Sequence, residues 1–188
     1  GYDGNNLRYM NTLTSGKEWM LARGYTESDL IAYTYPEVEA FLAADLKIIY
    51  LGWFLGDWSL VNNAMYACGN GLQLRRDDVS VTGDLFGVTA LDEDFTPINQ
   101  MIKYYKFGFG RTTDYVNEEI RLRRMSREAG IELVRKYDHR CSPDYVASYC
   151  DYLGIGVQQF WDKVRQACDR RLFDIGSDGA IVPRFRVG

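Results

Sequence analysis

The sequence predicts an α/β chain that is mostly helical and ends in a β-hairpin. Three observations carry this. Five helical stretches run between Thr96 and Cys168, and in the last two the apolar residues from Val146 to Cys168 recur at intervals of three and four, the spacing of amphipathic helices. Helix-start signals precede those stretches at Thr96-Pro97, Ser126 and Ser142-Pro143. KIIYL at 47–51, and the segment Leu172 to Phe185 around Gly-Ser-Asp-Gly, read instead as strands.

In chain order, residues 1–16 are turn-rich, and Lys17 to Arg23 is a short helix ended by Gly24. The Thr26-x-x-Asp29 pattern starts another helix, and Tyr35-Pro36 before EVEAFLAADL a third. Lys47 to Leu51 is expected as a buried strand bounded by Gly52; the loop WFLGDWS then leads to a helix from Leu60 to Cys68, stopped by Gly-Asn-Gly. A strand passing through a loop into a helix is the grammar of α/β folds, whose ligands bind where strands end. The WFLGDW loop is therefore a secondary site candidate, with its Trp and Phe expected to pack. Residues 72–95 carry no clear period and end in the acidic DEDF.

Thr96 is expected to cap a helix to about Lys106, and Phe107-Gly108-Phe109-Gly110 to break it. Arg111-Thr112-Thr113-Asp114 precedes a helix to about Arg124, and Ser126 caps the next, to about Tyr137. Val146, Tyr149, Cys150 and Leu153 form the apolar face of a helix closed by Gly154. Val157, Phe160, Trp161, Val164 and Cys168 form that of the next, with Gly156 where a Ser or Thr cap is usual.

The 188 residues, 46% apolar and 26% charged, suffice for a real core. Charge is uneven: residues 1–102 sum to −8, 103–140 to +4 and 141–188 to zero. An acidic chain with a basic middle is unsuited to non-specific nucleic-acid binding, which needs a basic domain. A compact basic site for a phosphorylated or carboxylated small molecule fits it better. No run approaches the roughly 18 apolar residues of a membrane span, and no basic-then-apolar leader opens the chain, so a cytoplasmic protein without a membrane partner is expected. The chain opens at Gly1 without an initiator methionine, so a processed, truncated or incompletely represented protein is expected. Its four cysteines lack Cys-x-x-Cys spacing and His139 is the single histidine, so neither disulfides nor a metal site is expected.

The densest functional signal runs from Lys103 to Asp138. Gly108 and Gly110 in KFGFGRTTD permit a sharp turn that exposes backbone amides, and the helix start beyond adds an electropositive end. Lys106 and Arg111 flank the turn with full charges, and Thr112 and Thr113 add hydroxyl donors. These are the ingredients of a phosphate or carboxylate site. Arg121 and Arg124 share a helical face, Arg127 follows the break, and Asp114 and Glu118 precede them closely enough to orient them. On charge pattern alone, a solvated helix laced with salt bridges is the stronger reading.

The string YKFGFGRTTD, then EEIR, then RMSREAGIELVRKYD, followed by DYLGI and QFW, resembles the C-terminal part of the N-acetyl sugar amidotransferases. TESDLIAYTYPEVEAF, KIIYLGWF and the Trp58 to Asn62 region are similar to that family too. The resemblance implies a PP-loop ATPase, or adenine nucleotide α-hydrolase, type of fold. Residues 1–95 would be the C-terminal part of its α/β domain, and residues 96–188 a helical region for substrate binding or association. The implied reaction turns a sugar acetamido group into an acetamidino group in bacterial surface glycan synthesis. ATP with magnesium activates the amide oxygen by adenylylation, and ammonia from separate glutaminase and cyclase-like subunits displaces AMP.

Activation at phosphorus requires cationic charge, a role assigned to Lys106 and Arg111. Asp114 and Glu119 would orient them or bind sugar hydroxyls, while Arg121, Arg124 and Arg127 would hold the phosphates or carboxylate of a nucleotide sugar. Tyr104, Tyr105 and Phe109 offer flat faces to a sugar ring. The Ser-Gly-Gly-x-Asp-Ser loop that holds pyrophosphate in that family is missing from the sequence, and Thr14-Ser15-Gly16-Lys17 has neither the strand nor the paired glycines to replace it. ATP is therefore not expected to bind through such a loop in this chain by itself, and activity is expected only together with an N-terminal half. The competing expectation is a non-catalytic module whose helices between Ser126 and Arg171 bind a partner or form a homodimer. A helix-turn-helix reading fails, because residues 141–188 are net neutral and lack a basic recognition helix.

Overall fold

The computed structural model describes residues 2–3, 16–33, 38–45, 47–56 and 58–188. The chain divides into two units, residues 1–58 and residues 59–188.

In the first unit, β1 (Tyr2–Asp3) pairs antiparallel with β2 (Lys47–Ile48), Tyr2 opposite Ile48. Helices α1 (Gly16–Leu21) and α2 (Val38–Ala43) are six residues each. Tyr35-Pro36 lies outside the described residues. The Thr26 signal forms a reciprocal cap: Thr26 N donates to Asp29 Oδ2 at 2.8 Å, and Asp29 N to Thr26 Oγ1 at 3.3 Å. Beyond this cap the chain forms turns and a 3-10 segment, Ile31–Tyr33, in place of the expected α-helix.

The expected buried strand at 47–51 is corrected more sharply. Among the described residues only Lys47–Ile48 is paired; Ile49 and Tyr50 are exposed, and Leu51–Phe54 turns as a 3-10 helix. Phe54 and Trp58, expected to pack, are 77% and 56% exposed.

The second unit contains α3 (Leu60–Gly69), α4 (Val79–Thr82), α5 (Thr96–Phe107), α6 (Arg111–Arg121), α7 (Arg127–Tyr137), α8 (Pro143–Leu153) and α9 (Val157–Ala167), then the hairpin β3 (Phe173–Ile175) and β4 (Ile181–Pro183). Side-chain caps explain several starts: Ser59, Asp78, Ser126 and Ser142 each accept a hydrogen bond from a backbone amide of the first turn. Thr96 is the first helical residue rather than the cap, and the Glu93 carboxylate accepts from the amides of Phe95 and Thr96. Helix α6 begins at Arg111, not after Asp114, and stops before Arg124 because Arg123 adopts a left-handed φ of 59°. Gly156 caps α9 without a side-chain bond.

Residues 72–95 lack period because polar hubs, not an apolar face, organise them. Arg75 donates to the carbonyls of Ala90 and Glu93 at 2.7 and 2.6 Å and to Tyr145 Oη at 3.1 Å. Asp84 accepts from the amides of Phe86 and Gly87 and from Thr89 Oγ1.

Ile98 and Met101 of α5, Val146 and Cys150 of α8, and Phe160 and Val164 of α9 form the main core; Tyr104, Cys168 and Phe173 form a second cluster beneath the hairpin. The chain is mostly helical with a terminal antiparallel hairpin in the register Phe173 to Pro183, Asp174 to Val182 and Ile175 to Ile181. Both sheets are two-stranded and antiparallel, so the described residues contain no parallel βαβ unit. Among them, no helix is long and apolar enough to cross a membrane.

Candidate functional site

The turn between α5 and α6 holds an anion, and that anion belongs to the chain. Asp138, 4% exposed, accepts from Gly110 N at 2.8 Å, Thr113 N at 2.8 Å and Thr113 Oγ1 at 2.7 Å. Its carboxylate thus takes the electropositive end of α6 that an external phosphate would use. Gly110 is required by proximity, since a Cβ there would lie 2.3 Å from the Asp138 carbonyl oxygen. Gly108 is required by conformation, for at φ 79° it is the left-handed C-cap of α5, facing Leu172 and Phe185. Thr112 is fully buried and donates to the Gly83 carbonyl at 2.8 Å. This turn does not fit the pyrophosphate of ATP.

The predicted cations separate. Arg111 turns inward, its guanidinium 6.0 Å from the Tyr115 ring centroid, and its buried Nε finds no hydrogen-bond partner beside a small polar cavity shared with Gln100 and Asp84. Lys106 is exposed next to the Phe107 ring. Asp114 pairs with Lys103 at 2.7 Å, not with the arginines. Arg124 grips Glu119 through Nε at 2.9 Å and Nη2 at 2.6 Å, and reaches Asn62 Oδ1 at 2.7 Å and Ser59 Oγ at 3.0 Å. Glu118 accepts from Leu60 N at 3.0 Å. The end of α6 is therefore a polar clamp on the start of α3. Arg121 and Arg127 are exposed with no ion-pair partner among the described residues. Replacing Arg124 by alanine leaves Glu119, 7% exposed, without its fork. The urea midpoint is expected to fall well beyond the change caused by Arg121→Ala, and equal effects would show that the clamp contributes nothing.

A groove of about 430 Å³ opens between α5, the end of α7 and the C-terminal tail. Tyr104 and Tyr105 come from α5, Arg135 and His139 from α7 and the turn after it, and Phe185 and Arg186 from the tail. Tyr104 packs edge-on against Phe173 at 5.3 Å and lies 5.7 Å from the His139 ring. Burial, and then the Asp138 charge, push the Tyr104 phenol up to about 12; burial likewise raises that of Tyr105. Phe109, the third predicted sugar-stacking ring, lies apart from this groove, beside Lys103 and Phe107.

Burial, and then the Arg140 charge, hold the His139 imidazole below its ordinary value near 6.5. The folded protein thus binds this proton less readily than the unfolded chain. The stability that this contributes is full above the ordinary value and is lost as pH falls from there through the depressed folded value. Between about pH 7 and about pH 5, the range of histidine titration, the urea midpoint of the wild type is expected to drop more steeply than that of His139→Gln. Parallel profiles would refute it.

Tyr104 and Tyr105 were legible from sequence as candidate sugar platforms, but Arg135, His139 and Arg186 were not marked. They stand far from the tyrosines in sequence, and their convergence depends on the tail crossing α7. Asp138 could have been found: it closes the KYD end of the most specific motif.

The fold and groove together define a helical domain carrying a basic, aromatic-lined pocket. Residues 86–177, just under half of the chain, match the family model described as LPS biosynthesis protein WbpG-like, C-terminal domain. That stretch spans α5 to β3, and so includes Tyr104, Tyr105, Arg135 and His139. No curated protein and no solved structure matches the chain.

Proposed function

We propose that this chain is the substrate-binding part of an enzyme of bacterial surface-glycan biosynthesis, of the type that converts a sugar N-acetyl group to an acetamidino group. The single observation that carries the glycan assignment is the match over residues 86–177 to an LPS biosynthesis domain. Support for the finer reaction comes from the YKFGFGRTTD to KYD motif and its resemblance to N-acetyl sugar amidotransferases. In this reading the chain binds and orients the sugar. ATP and magnesium are handled by an N-terminal half carrying the Ser-Gly-Gly-x-Asp-Ser loop, since Asp138 already fills the turn that a phosphate would need. Ammonia comes from glutaminase and cyclase-like subunits. The net change replaces the amide oxygen by an NH group derived from ammonia.

The test supplies the chain together with that N-terminal half, ATP, magnesium, ammonium and a UDP-linked N-acetyl sugar, and follows the sugar by mass spectrometry. Exchange of one oxygen for NH, dependent on both halves, is expected. Binding of the sugar without any such exchange would overturn the reaction assigned.

One observation favours association instead, though through α3 rather than through the helices between Ser126 and Arg171. Helix α3 has no buried residue, and Met65 and Tyr66 are 69% and 78% exposed on it. A wild-type homodimer that Met65→Glu with Tyr66→Glu converts to monomer would support that reading, and a wild-type monomer at high concentration would remove it.

A further inference from the structure

We propose that the groove between α5, α7 and the C-terminal tail binds a hexose bearing a negative group, with Arg135 and Arg186 receiving the charge and Tyr105 the ring. The inference names the contact surface of the substrate-binding reading above, and rests on that reading only for the ligand being a sugar.

Size permits it: about 430 Å³ lies within the roughly 300–1,000 Å³ typical of small-ligand sites. Charge directs it. Among the described residues, two guanidinium groups line the groove and no carboxylate does. Asp138, beside His139 in sequence, commits its oxygens to α6. Arg135 is already oriented, with Nε and Nη2 donating to the Val187 carbonyl at 3.1 and 2.8 Å, which leaves Nη1 for another acceptor. Arg186 is exposed and has no partner among the described residues. Like charges lining one groove without a counter-charge repel, and an anion relieves that repulsion while gaining charge-assisted hydrogen bonds.

The remaining polar groups suit a sugar. The hydroxyls of Tyr104 and Tyr105 make no hydrogen bond to the described residues, and burial favours the neutral His139 imidazole, which can donate at one nitrogen and accept at the other. Tyr105 is braced edge-on by Tyr104 at 5.6 Å and Phe173 at 5.8 Å, so little side-chain freedom is lost on binding. The anion has two sources, a carboxylate on the sugar itself or the diphosphate of a nucleotide sugar, and both present oxygens to a guanidinium fork.

Calorimetry of the chain, without ATP or ammonia, against UDP-N-acetylglucosamine, UDP, glucuronic acid and N-acetylglucosamine separates these. Glucuronic acid binding where UDP does not assigns the sugar carboxylate. UDP and UDP-N-acetylglucosamine binding where glucuronic acid does not assigns the diphosphate. Arg186→Gln is expected to weaken the bound probe by about tenfold or more, as loss of a charge-assisted hydrogen bond does. Tyr105→Phe keeps the ring and removes only a hydroxyl that has no partner among the described residues, so it weakens the probe by the sugar hydrogen bond alone, while Lys163→Gln on α9 removes one charge outside the groove and leaves it unchanged. Binding of none of the probes, neutral N-acetylglucosamine binding as tightly as the anions, or equal losses in Arg186→Gln and Lys163→Gln would each overturn the assignment. These readouts involve no amide chemistry, so failure of the proposed reaction leaves them intact.

Discussion

Asp138→Ala is expected to lower the unfolding free energy by about 3 kcal/mol, the sum of a lost helix cap and of buried donors left unpaired. Three donors depend on this one carboxylate: Gly110 N, Thr113 N and Thr113 Oγ1. Gly110 is buried, so water reaches its amide poorly after the substitution. Asp138→Asn keeps one acceptor oxygen and is expected to lose about half as much. Chemical denaturation of the two variants checks the order. A second readout checks the cause. With its carboxylate removed, the start of α6 becomes the empty anion site that the sequence suggested, so sulfate or phosphate should raise the melting temperature of Asp138→Ala by more than that of the wild type. Equal responses would mean that the turn does not select anions.

Gly130→Ala inverts the usual rule for a glycine within a helix. In an open helix the change gains about 1 kcal/mol from propensity. Here the new Cβ would sit 2.5 Å from Val116 Cγ1 and 2.9 Å from Ile120 Cδ1, where α7 crosses α6. Val116 is 3% exposed and cannot swing into solvent. A net loss of about 2 kcal/mol is expected, in the range of an overpacked core. Adding Val116→Ala opens the space, so the double variant is expected to lose less than the sum of the two single losses, a coupling that denaturation midpoints measure. Strict additivity would show that the helices separate rather than press on Val116.

How much was legible depends on how local each signal is. Ser126 and Ser142-Pro143 set their helices because a cap and the amides it bonds lie within three residues. The hairpin around Gly-Ser-Asp-Gly was legible for the same reason, with Gly179 at φ 82° in its turn. KIIYL failed because strand character needs a partner strand, and β1 pairs with only two of its residues. The anion turn was legible as a turn with exposed amides. That Asp138 supplies the anion was not, because 28 residues separate it from Gly110.

The arginines divide in the same way. Arg121, Arg124 and Arg127 look equivalent in sequence, yet Arg124 alone among them meets Glu119, Ser59 and Asn62. The sequence by itself determined the helices that follow Ser126 and Ser142 with those caps, the tail hairpin and the basic stretch, since each depends on neighbours a turn or two away. Tertiary structure decided which charges remain free. Helix α3 claims Arg124, Asp138 closes α6, and the tail brings Arg186 to Arg135 and the tyrosines, because a charged side chain takes whichever partner the folded chain places within reach, however distant in sequence.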